Sequence, residues 1–323
     1  MRKRKRVKIE TKNQELLLFI LLGIILITTF LYGASERVLN AASNTLETNI
    51  ITEQTNTSID TSNIIGENSV NEVKLEENLK VYFIDVGQAD SILIMNKDES
   101  MLIDAGNNED GNLVVNFIKD KGITKLNYLV GTHPHEDHIG GVDTVIKNIE
   151  VENILMPKIQ TNTKTFEEVL DAISTKGLKI KAPEKGYEFK LGDAKCVTMT
   201  EPILEESNLN LSSIVIRLTY GNNSFLFMGD AETQNEKNVS WPKTDVLKVG
   251  HHGSNTSSSQ RFLEQVNPKY SIIMAGEGNS YGLPKEKILK RLTKINSNIY
   301  RTDKNGTIEI ISDGNNLKIE TEK

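Results

Sequence analysis

All five histidines of the chain lie in two short clusters, and this grouping is the strongest sign of chemistry in the sequence. His133, His135 and His138 form the first cluster, and the adjacent His251 and His252 form the second. Imidazole nitrogen is a common ligand of zinc and of other first-row metals. Because the chain has a single cysteine, a cysteine-rich zinc site is excluded. The pattern therefore predicts a metal site built from histidines and carboxylates.

The first cluster reads Thr-His-Pro-His-Glu-Asp-His over residues 132–138 and follows an apolar, strand-like segment. Loops at the carboxyl ends of strands are favoured places for active sites in α/β folds. His133 and His135 are two residues apart, so on extended chain they can point the same way. Asp137 and His138 would turn inward at the start of the following helix. A helix cap alone would explain Asp137, but a cap has no use for three histidines.

Two further strand ends carry residues of the same type. Asp230 ends an apolar run after a glycine, and His251-His252 end another. An aspartate after glycine is usually a turn residue, but this one lies between two histidine clusters. In that position it could bridge two cations, which two-metal hydrolases hold roughly 3.5–4 Å apart.

From residue 79 onward, short apolar runs alternate with segments of helical spacing, which predicts one mixed α/β domain over 79–323. Strands are predicted at 81–84, 91–94, 101–103, 128–130, 154–156, 214–218, 225–228, 246–249 and 270–274. Helices are predicted at 113–118, 141–148, 166–173, 262–266 and 288–295. A closing hairpin is predicted around Lys304, Asn305 and Gly306.

The N-terminal quarter has a different composition. Residues 1–15 form a basic, cytoplasmic tail, and 16–33 contain an apolar run of about 17 residues, the lower limit for a membrane-spanning helix. A cleaved signal peptide is the alternative, although its apolar region would be only roughly 7–15 residues long. Residues 34–78 are polar and lack proline, which predicts a disordered linker. We expect a single-pass cell-membrane protein with an extracellular domain or, after signal cleavage, a secreted one.

Taken in order, the motifs resemble the metallo-β-lactamase superfamily and, more narrowly, the hydrolase domain of ComEC-type competence proteins in a free-standing, membrane-anchored form. The resemblance extends over roughly residues 80–312. Besides the histidine clusters and Gly-Asp, it rests on Phe-Ile-Asp-Val-Gly-Gln-Ala-Asp at 83–90, Leu-Ile-Asp-Ala-Gly at 102–106, Asn-Ser-Tyr-Gly at 279–282 and Tyr-Arg-Thr-Asp at 300–303. It implies a four-layer αββα sandwich with two divalent metal ions, Zn or Mn, at one edge.

The resemblance also implies a set of metal ligands. His133 and His135 would bind one ion, and Asp137 and His138 would bind the other. Asp230 would bridge the two. Either member of the second histidine pair could complete the second site.

We favour His252 as that ligand, which leaves His251 to face the substrate as a catalytic residue. Asp137 would be catalytic as well, orienting the nucleophile. Ser254 and Asn279 are the expected substrate-binding residues.

This chain departs from its relatives at two places. Some related enzymes carry a further lone histidine between the first cluster and the bridging aspartate, where this chain has Asn208, Asn210 and Ser212. Relatives often have a histidine where this chain has Leu283. The many membrane helices of a competence channel are absent, so DNA uptake is not implied.

The expected function is hydrolysis of a phosphodiester, on a small molecule or a polymer, by a water that bound metal makes acidic, with a pKa of about 7. Nucleic acid is favoured by the resemblance. Overall charge opposes it, because residues 13–323 contain 31 basic and 43 acidic residues. A carboxylic ester or lactone hydrolase is an alternative. A non-catalytic surface binding module is another, and no obligate protein partner is implied.

Overall fold

The structure, a computed structural model, describes residues 78–237 and 239–323. The predicted cytoplasmic tail, the predicted membrane anchor and all but the last residue of the predicted linker lie outside these residues. Within the described ranges, no helix combines the length and the apolar character needed to cross a membrane.

The first of two sheets contains eight strands. They are β1 (Leu79–Phe83), β2 (Ser91–Asn96), β3 (Glu99–Ala105), β4 (Lys125–Val130), β5 (Glu150–Leu155), β6 (Ile180–Lys181), β14 (Ile308–Ser312) and β15 (Leu317–Thr321). Their spatial order is β15-β14-β1-β2-β3-β4-β5-β6. Neighbours from β3 to β6 are parallel, and all other pairs in this sheet are antiparallel.

The second sheet contains seven strands. They are β7 (Glu188–Leu191), β8 (Ala194–Thr198), β9 (Ile216–Tyr220), β10 (Asn223–Phe227), β11 (Val246–Lys248), β12 (Tyr270–Ile273) and β13 (Asn298–Arg301). Their spatial order is β13-β12-β11-β10-β9-β8-β7. The strands from β10 to β13 are parallel, and those from β7 to β10 are antiparallel.

Helices lie on the outer face of each sheet. They are α1 (Gly111–Asp120), α2 (Glu136–Ile139), α3 (Val142–Asn148), α4 (Lys164–Thr175), α5 (Thr233–Glu236), α6 (Gln260–Val266), α7 (Glu286–Lys294) and α8 (Thr302–Asn305). Helices α1, α3 and α4 share a core with the first sheet, whereas α6 and α7 pack on the second. A third core fills the space between the sheets. The described chain is therefore an α/β sandwich with the expected αββα order of layers.

The alternation of residues along β1 shows why both faces of the sheets are covered. Val81 and Phe83 point into the core between the sheets, while Tyr82 points toward the helices on the other side. Successive residues of a strand face opposite ways, so apolar residues at every position require a cover on each side. Short, continuously apolar strands thus specify an interior sheet.

The prediction of a closing hairpin around Lys304, Asn305 and Gly306 is wrong. These residues lie in and just after α8, which connects β13 in the second sheet to β14 in the first. The closing hairpin is formed by β14 and β15, and its turn is centred on Gly314 and Asn315. The Asp313 carboxylate accepts hydrogen bonds from the backbone N–H groups of Asn315 and Asn316, and Gly314 has a positive φ of 88°, which favours glycine.

Candidate metal centre

The candidate site lies at the carboxyl ends of strands from both sheets. The 132–138 loop follows β4, Asp230 follows β10, and the His251-His252 pair follows β11. Strands β10 and β11 are parallel neighbours, so their ends meet at one edge of the second sheet. The carboxyl end of β4, in the first sheet, lies beside this edge, because His138 and Asp137 contact Asp230 and His252. The predicted residues are therefore gathered from three distant parts of the sequence.

Two consecutive glycines allow α2 to sit close enough to deliver its side chains. A Cβ atom on Gly140 would lie 2.3 Å from backbone atoms of Asn107 and Asn108, and one on Gly141 would lie 2.3 Å from the carbonyl oxygen of Ala105. Such distances are far inside van der Waals contact, so a larger residue would push the helix away. Helix α2 carries two of the site residues, and the glycines fix its position.

Four side chains converge on one point. One donor atom from each of Asp137, His138, Asp230 and His252 lies within 4.8 Å of the others. His138 Nε2 is 3.3 Å from Asp230 Oδ1, and His252 Nε2 is 3.3 Å from Asp137 Oδ2. A tetrahedral ion with bonds of about 2.1 Å separates its ligands by roughly 3.4 Å. The spacing suits a divalent ion.

Three donor atoms of the site are buried and form no hydrogen bond. His138 Nε2, His252 Nε2 and Asp230 Oδ1 are buried and have no hydrogen-bond partner. Buried polar atoms are rarely left without one, because each has given up its bonds to water. Two imidazole nitrogens and two carboxylates are a donor set that suits zinc or manganese. The residues present therefore fit a metal ion.

The far side of each imidazole is fixed by a hydrogen bond. His138 Nδ1 lies 2.7 Å from Asp104 Oδ2, and Asp104 also accepts hydrogen bonds from the backbone N–H and the hydroxyl of Thr132, at 2.8 and 2.7 Å. His252 Nδ1 lies 2.9 Å from the carbonyl oxygen of Met274. Partners of this kind orient a metal-binding imidazole and leave its Nε2 free to ligate.

His133 and His135 form an adjoining pair. His133 is fully buried, and its Nε2 lies 3.0 Å from Nδ1 of His135. Burial lowers the pKa of both imidazoles, that of His133 strongly. Both rings are therefore neutral at physiological pH, the form in which imidazole binds a metal.

The pKa values of the four converging side chains shift toward the charged forms, unlike those of His133 and His135. Burial favours the neutral form of each, but their mutual attraction outweighs it. His252 and His138 hold the pKa of Asp230 well below its usual range, and they also lower that of Asp137. In return, Asp230 raises the pKa of His138 and of His252 despite their burial. The carboxylates thus favour the protonated form of both imidazoles when no metal is bound.

A buried lysine lies behind this cluster. Lys248, in β11, is fully buried, and its ammonium contacts the Asp90 carboxylate and donates a hydrogen bond to the carbonyl oxygen of Gly229 at 3.1 Å. Asp90, Asp104 and His138 also have metal-compatible spacing. Because the lysine already supplies the positive charge beside Asp90, we assign this group to support of the cluster in front of it.

His251 and His252 occupy different positions although they are adjacent. Both have a left-handed backbone with φ of 48°. The side chain of His252 is 2% exposed and lies in the cluster, whereas that of His251 is 23% exposed and lies at its rim. His251 Nε2 is 3.6 Å from Asp230 Oδ2, and its Nδ1 is 2.8 Å from the Thr256 hydroxyl. His252 therefore lies within the cluster and His251 at its rim, and their roles as ligand and substrate-facing residue stay predictions.

The two residues predicted to bind substrate are held by their own loops. Ser254 Oγ contacts the hydroxyl of Thr256 at 3.3 Å. The Asn279 side chain donates to the carbonyl oxygens of Gly276 and Leu283, and it accepts the N–H of Leu283. Asn279 therefore closes the 276–283 loop, and contact of either residue with substrate stays a prediction.

A cleft of about 540 Å³ opens beside Asp137, whose side chain is 33% exposed. Five carboxylates, an exposed tyrosine and no lysine or arginine of the described chain line this cleft. The charged and aromatic members are Asp85, Glu109, Asp110, Glu136, Asp137 and Tyr281. Asp137 thus faces both the cluster and the solvent-filled cleft.

Sequence reasoning assigned no role to Asp90, Asp104 or Lys248. The two aspartates belong to the 83–90 and 102–106 motifs that resemble the family. A single aspartate at a strand end is also common as a turn residue, so neither could be assigned a role. Lys248 offered a clearer signal, because a lysine within the apolar run 246–249 has no place in a buried strand without a partner.

Comparison with known proteins agrees with the motifs. The chain is 32% identical over 252 residues to ComE operon protein 3 of Bacillus subtilis (strain 168), covering 71% of this chain and 32% of that protein. It is 31% identical over 235 residues to Recombination protein 2 of Haemophilus influenzae, covering 70% of this chain and 28% of that protein. The chain spans about a third of the length of these curated relatives. The resemblance to ComEC-type hydrolase domains is confirmed.

The fold has a match among solved structures. The metallo-beta-lactamase fold protein YhfI from Bacillus subtilis aligns with a TM-score of 0.50 at 11% sequence identity, covering 72% of this chain and 99% of that one. The family model for the metallo-beta-lactamase superfamily matches residues 84–277, more than half of the chain. That range contains the three strand ends that carry the site. A match over more than half of the chain shows that it belongs to the metallo-beta-lactamase superfamily, a group of metal-dependent hydrolases.

Proposed function

We propose that this domain is a phosphodiester hydrolase that uses two divalent cations, Zn or Mn, and acts outside the cell membrane. The observation that carries the proposal is the set of buried, unpaired donor atoms of His138, His252 and Asp230, which meet the Asp137 carboxylate at the edge of an open cleft. These groups attract one another at 3.3 to 3.6 Å but form no hydrogen bond, a spacing that leaves room for a bridging cation.

The residues around the cluster have distinct tasks in this proposal. Divalent cations, when bound, polarise a phosphoryl oxygen and acidify a water molecule. Asp137 is ionised and faces the cleft, so its free oxygen can accept a hydrogen bond from the attacking water and orient it. His251 presents Nε2 at the rim, where it can donate to a phosphate oxygen, and the Thr256 hydroxyl holds its other nitrogen.

Nucleic acid is one candidate substrate. The names of two curated relatives, Recombination protein 2 of Haemophilus influenzae and Competence protein ComA of Neisseria gonorrhoeae, refer to recombination and competence, which supports a DNA phosphodiester. The acidic lining of the cleft opposes a long polyanion and favours a small phosphodiester or the end of a strand.

A substrate panel tests the proposal. The purified full chain, loaded with Mn²⁺ or Zn²⁺, would be assayed on bis(p-nitrophenyl) phosphate, single-stranded DNA and a lactone. Hydrolysis of a phosphodiester that stops when a chelator is added supports the proposal. Hydrolysis of the lactone alone would identify a carboxylic ester hydrolase, and metal binding without any turnover would identify a binding module.

Asp137→Asn tests the role of the exposed carboxylate. The substitution keeps an oxygen ligand but removes the charge that orients water, so we expect kcat to fall by about 10²-fold or more. Metal content, measured by mass spectrometry of the same samples, should remain near that of the wild type. Asp143→Asn is the matched control, because Asp143 pairs with Lys147 on α3, away from the cluster. Wild-type turnover in the metal-loaded Asp137 variant would contradict this role.

The location outside the membrane is a separate proposal, supported by the basic tail followed by the apolar run over 16–33. Protease added to intact cells should digest the domain while a cytoplasmic marker stays whole. The mass of the membrane-bound protein then distinguishes an uncleaved anchor from a processed signal peptide. Protection of the domain in intact cells would rule out this orientation.

A further inference from the structure

Hydrogen bonds hold carboxylates of the acidic cleft in place without neutralising them. Asp110 Oδ2 accepts hydrogen bonds from the backbone N–H and the side-chain amide of Asn107, at 2.8 and 2.9 Å. Glu136 Oε1 accepts the backbone N–H of Asn108 at 3.1 Å. These donors are neutral, so they do not cancel the negative charge of an ionised carboxylate. The charge of the cleft is therefore fixed in position and remains available to a ligand.

The excess negative charge does not mark a further metal site. Within the described ranges, the metal-compatible groups of side chains include Asp137 but no other carboxylate of this cleft. The Lys323 ammonium lies 3.5 Å from Asp85 and so pairs with one of the five carboxylates. A cleft with uncompensated carboxylates raises the local concentration of cations. We therefore expect the ligand of this cleft to carry an organic cation.

Two exposed apolar side chains line the same cleft. Tyr281 is 68% exposed and Leu113 is 44% exposed, and they are two of the four large hydrophobic residues that are exposed in the described chain. The Tyr281 carbonyl oxygen accepts a hydrogen bond from the Lys285 ammonium at 2.6 Å, which holds the backbone while the ring stays exposed. An aromatic face attracts organic cations, and quaternary ammonium groups are commonly bound in this way. Carboxylates beside an exposed tyrosine thus indicate a site for an alkylammonium group.

Asp137 connects this cleft to the metal cluster. Its side chain lines the cleft, and its Oδ2 lies 3.3 Å from His252 Nε2, one of the buried atoms without a hydrogen bond. A phosphodiester held at the cluster therefore has an ester group within reach of the cleft. In an ester of ethanolamine or choline, a short two-carbon arm joins the nitrogen to the ester oxygen, so one molecule can occupy both places.

We propose that the substrate is a phosphodiester of an amino alcohol, whose alkylammonium group binds in this cleft beside Glu109 and Tyr281 while the phosphate lies at the metal cluster. This proposal rests on the proposed function and narrows its substrate class. A phosphodiester that carries one ammonium group has no net charge, so the acidic body of the protein does not repel it. The carboxylates of the cleft then favour binding, which they oppose for an anionic diester.

Hydrolysis of matched diesters tests the proposal. The metal-loaded full chain would be assayed on glycerophosphocholine and on glycerophosphoglycerol, which share a glycerol ester and differ in the alkylammonium group. We expect kcat/KM to be at least about tenfold higher for the choline ester. Vesicles of phosphatidylcholine distinguish a lipid head group from a soluble diester as the source of the ammonium group.

Substitutions in the cleft should reduce this preference. We expect Glu109→Gln and Tyr281→Ala each to lower the ratio of the two kcat/KM values by at least about threefold. Tyr281→Phe should retain the ratio, because the aromatic face is kept. Glu168→Gln is the matched control, since Glu168 pairs with Lys164 on α4 at 3.1 Å and does not line the cleft.

Binding of the ammonium group can also be measured without turnover. In NMR saturation-transfer experiments with the metal-free full chain, the methyl signal of glycerophosphocholine should respond to the wild type. The response should be weaker with Glu109→Gln and with Tyr281→Ala, and unchanged with the control variant. Circular dichroism and thermal unfolding establish that each variant is folded.

The outcomes separate this proposal from the one on which it rests. A metal-loaded chain that hydrolyses no phosphodiester would overturn the proposed function itself. Equal kcat/KM for the choline and glycerol esters would overturn only the amino alcohol, and a preference that survives both cleft substitutions would overturn its placement in this cleft. Loss of single-stranded DNA cleavage in Tyr281→Ala, without any preference for the choline ester, would assign the ring to a nucleobase instead.

Discussion

At the scale of single residues, metal and protons compete for the same nitrogens. His138 and His252 are flanked by the Asp230 and Asp137 carboxylates, which raise the pKa of both imidazoles above the usual value. A proton on Nε2 blocks the lone pair that a metal needs. The charge arrangement that makes this cluster attractive to a cation therefore also retains protons in its absence.

We expect metal binding to release protons and to tighten as the pH rises. Each proton displaced by the metal makes affinity increase up to about tenfold per pH unit, until the pH passes the raised pKa values. Titration calorimetry at pH 7 and 8, in buffers of different ionisation enthalpy, counts the protons released. A binding constant that is independent of pH, with no proton release, would contradict the charge state inferred for His138 and His252.

The same shifts set the pH dependence of stability without metal. A histidine with a raised pKa stabilises the folded chain fully below its ordinary pKa, and this contribution is lost as the pH rises through the raised value. The metal-free chain should therefore lose stability toward alkaline pH, whereas the metal-loaded chain should not.

Residue types that only a metal requires were identifiable from the sequence, and supporting residues were not. Three histidines around Asp137 have few other uses, so the convergence of Asp137 and His138 with Asp230 could be predicted. Asp104 could not be assigned, because its task is to hold His138 from behind and such contacts depend on the assembled fold.

At the scale of elements, the turn after β11 is conformationally costly. Two consecutive histidines, His251 and His252, have φ of 48°, a region that costs roughly 1–2 kcal/mol per non-glycine residue. Hydrogen bonds from the His251 N–H to Gly229 O at 3.1 Å and from the Ser254 N–H to His251 O at 2.7 Å hold the turn in place. Strain of this kind persists where the surrounding structure determines the conformation.

Glycine should relieve that strain. We expect His251→Gly to be about 1 kcal/mol more stable than His251→Ala in urea unfolding of the metal-free chain, because both lack the imidazole and only alanine keeps a Cβ. Asn255, in the same loop, does not have a positive φ and serves as the control pair. Equal stability of the two His251 variants would show that the turn relaxes.

Most elements were predictable because their apolar periods are strong. Strands β1 to β5 and β9 to β12 and helices α1, α3 and α4 appear near the predicted ranges, whereas β6 was not predicted. Strands β7 and β8 were missed, since their few apolar residues are separated by charged ones. The final hairpin was misplaced because Asn-Gly at 305–306 and Asp-Gly at 313–314 are both turn signals, and only the crossing between sheets decides between them.

At the scale of the whole molecule, charge discriminates between substrates. The chain beyond its first 12 residues is acidic, and the cleft beside Asp137 is lined by carboxylates. A polyanion approaching the cleft is therefore repelled, whereas a small monoanion is affected much less.

Ionic strength should reveal this repulsion. The Debye length falls from roughly 30 Å at 0.01 M salt to about 10 Å at 0.1 M, so we expect kcat/KM on single-stranded DNA to rise at least about twofold over that range. Activity on bis(p-nitrophenyl) phosphate should change little. Glu109→Lys, on the exposed wall of the cleft, should raise DNA cleavage selectively. A steep fall of DNA cleavage with salt would instead indicate a basic binding path.

The buried ammonium of Lys248 has a consequence for how the protein matures. It contacts Asp90 and lies 4.0 Å from Asp230 Oδ1, so the scaffold contains its own counter-ion. Small zinc domains fold only when the ion arrives, because nothing else neutralises their ligands. We therefore expect this polypeptide to fold before it takes up its cations, and to keep its framework when they are lost or exchanged.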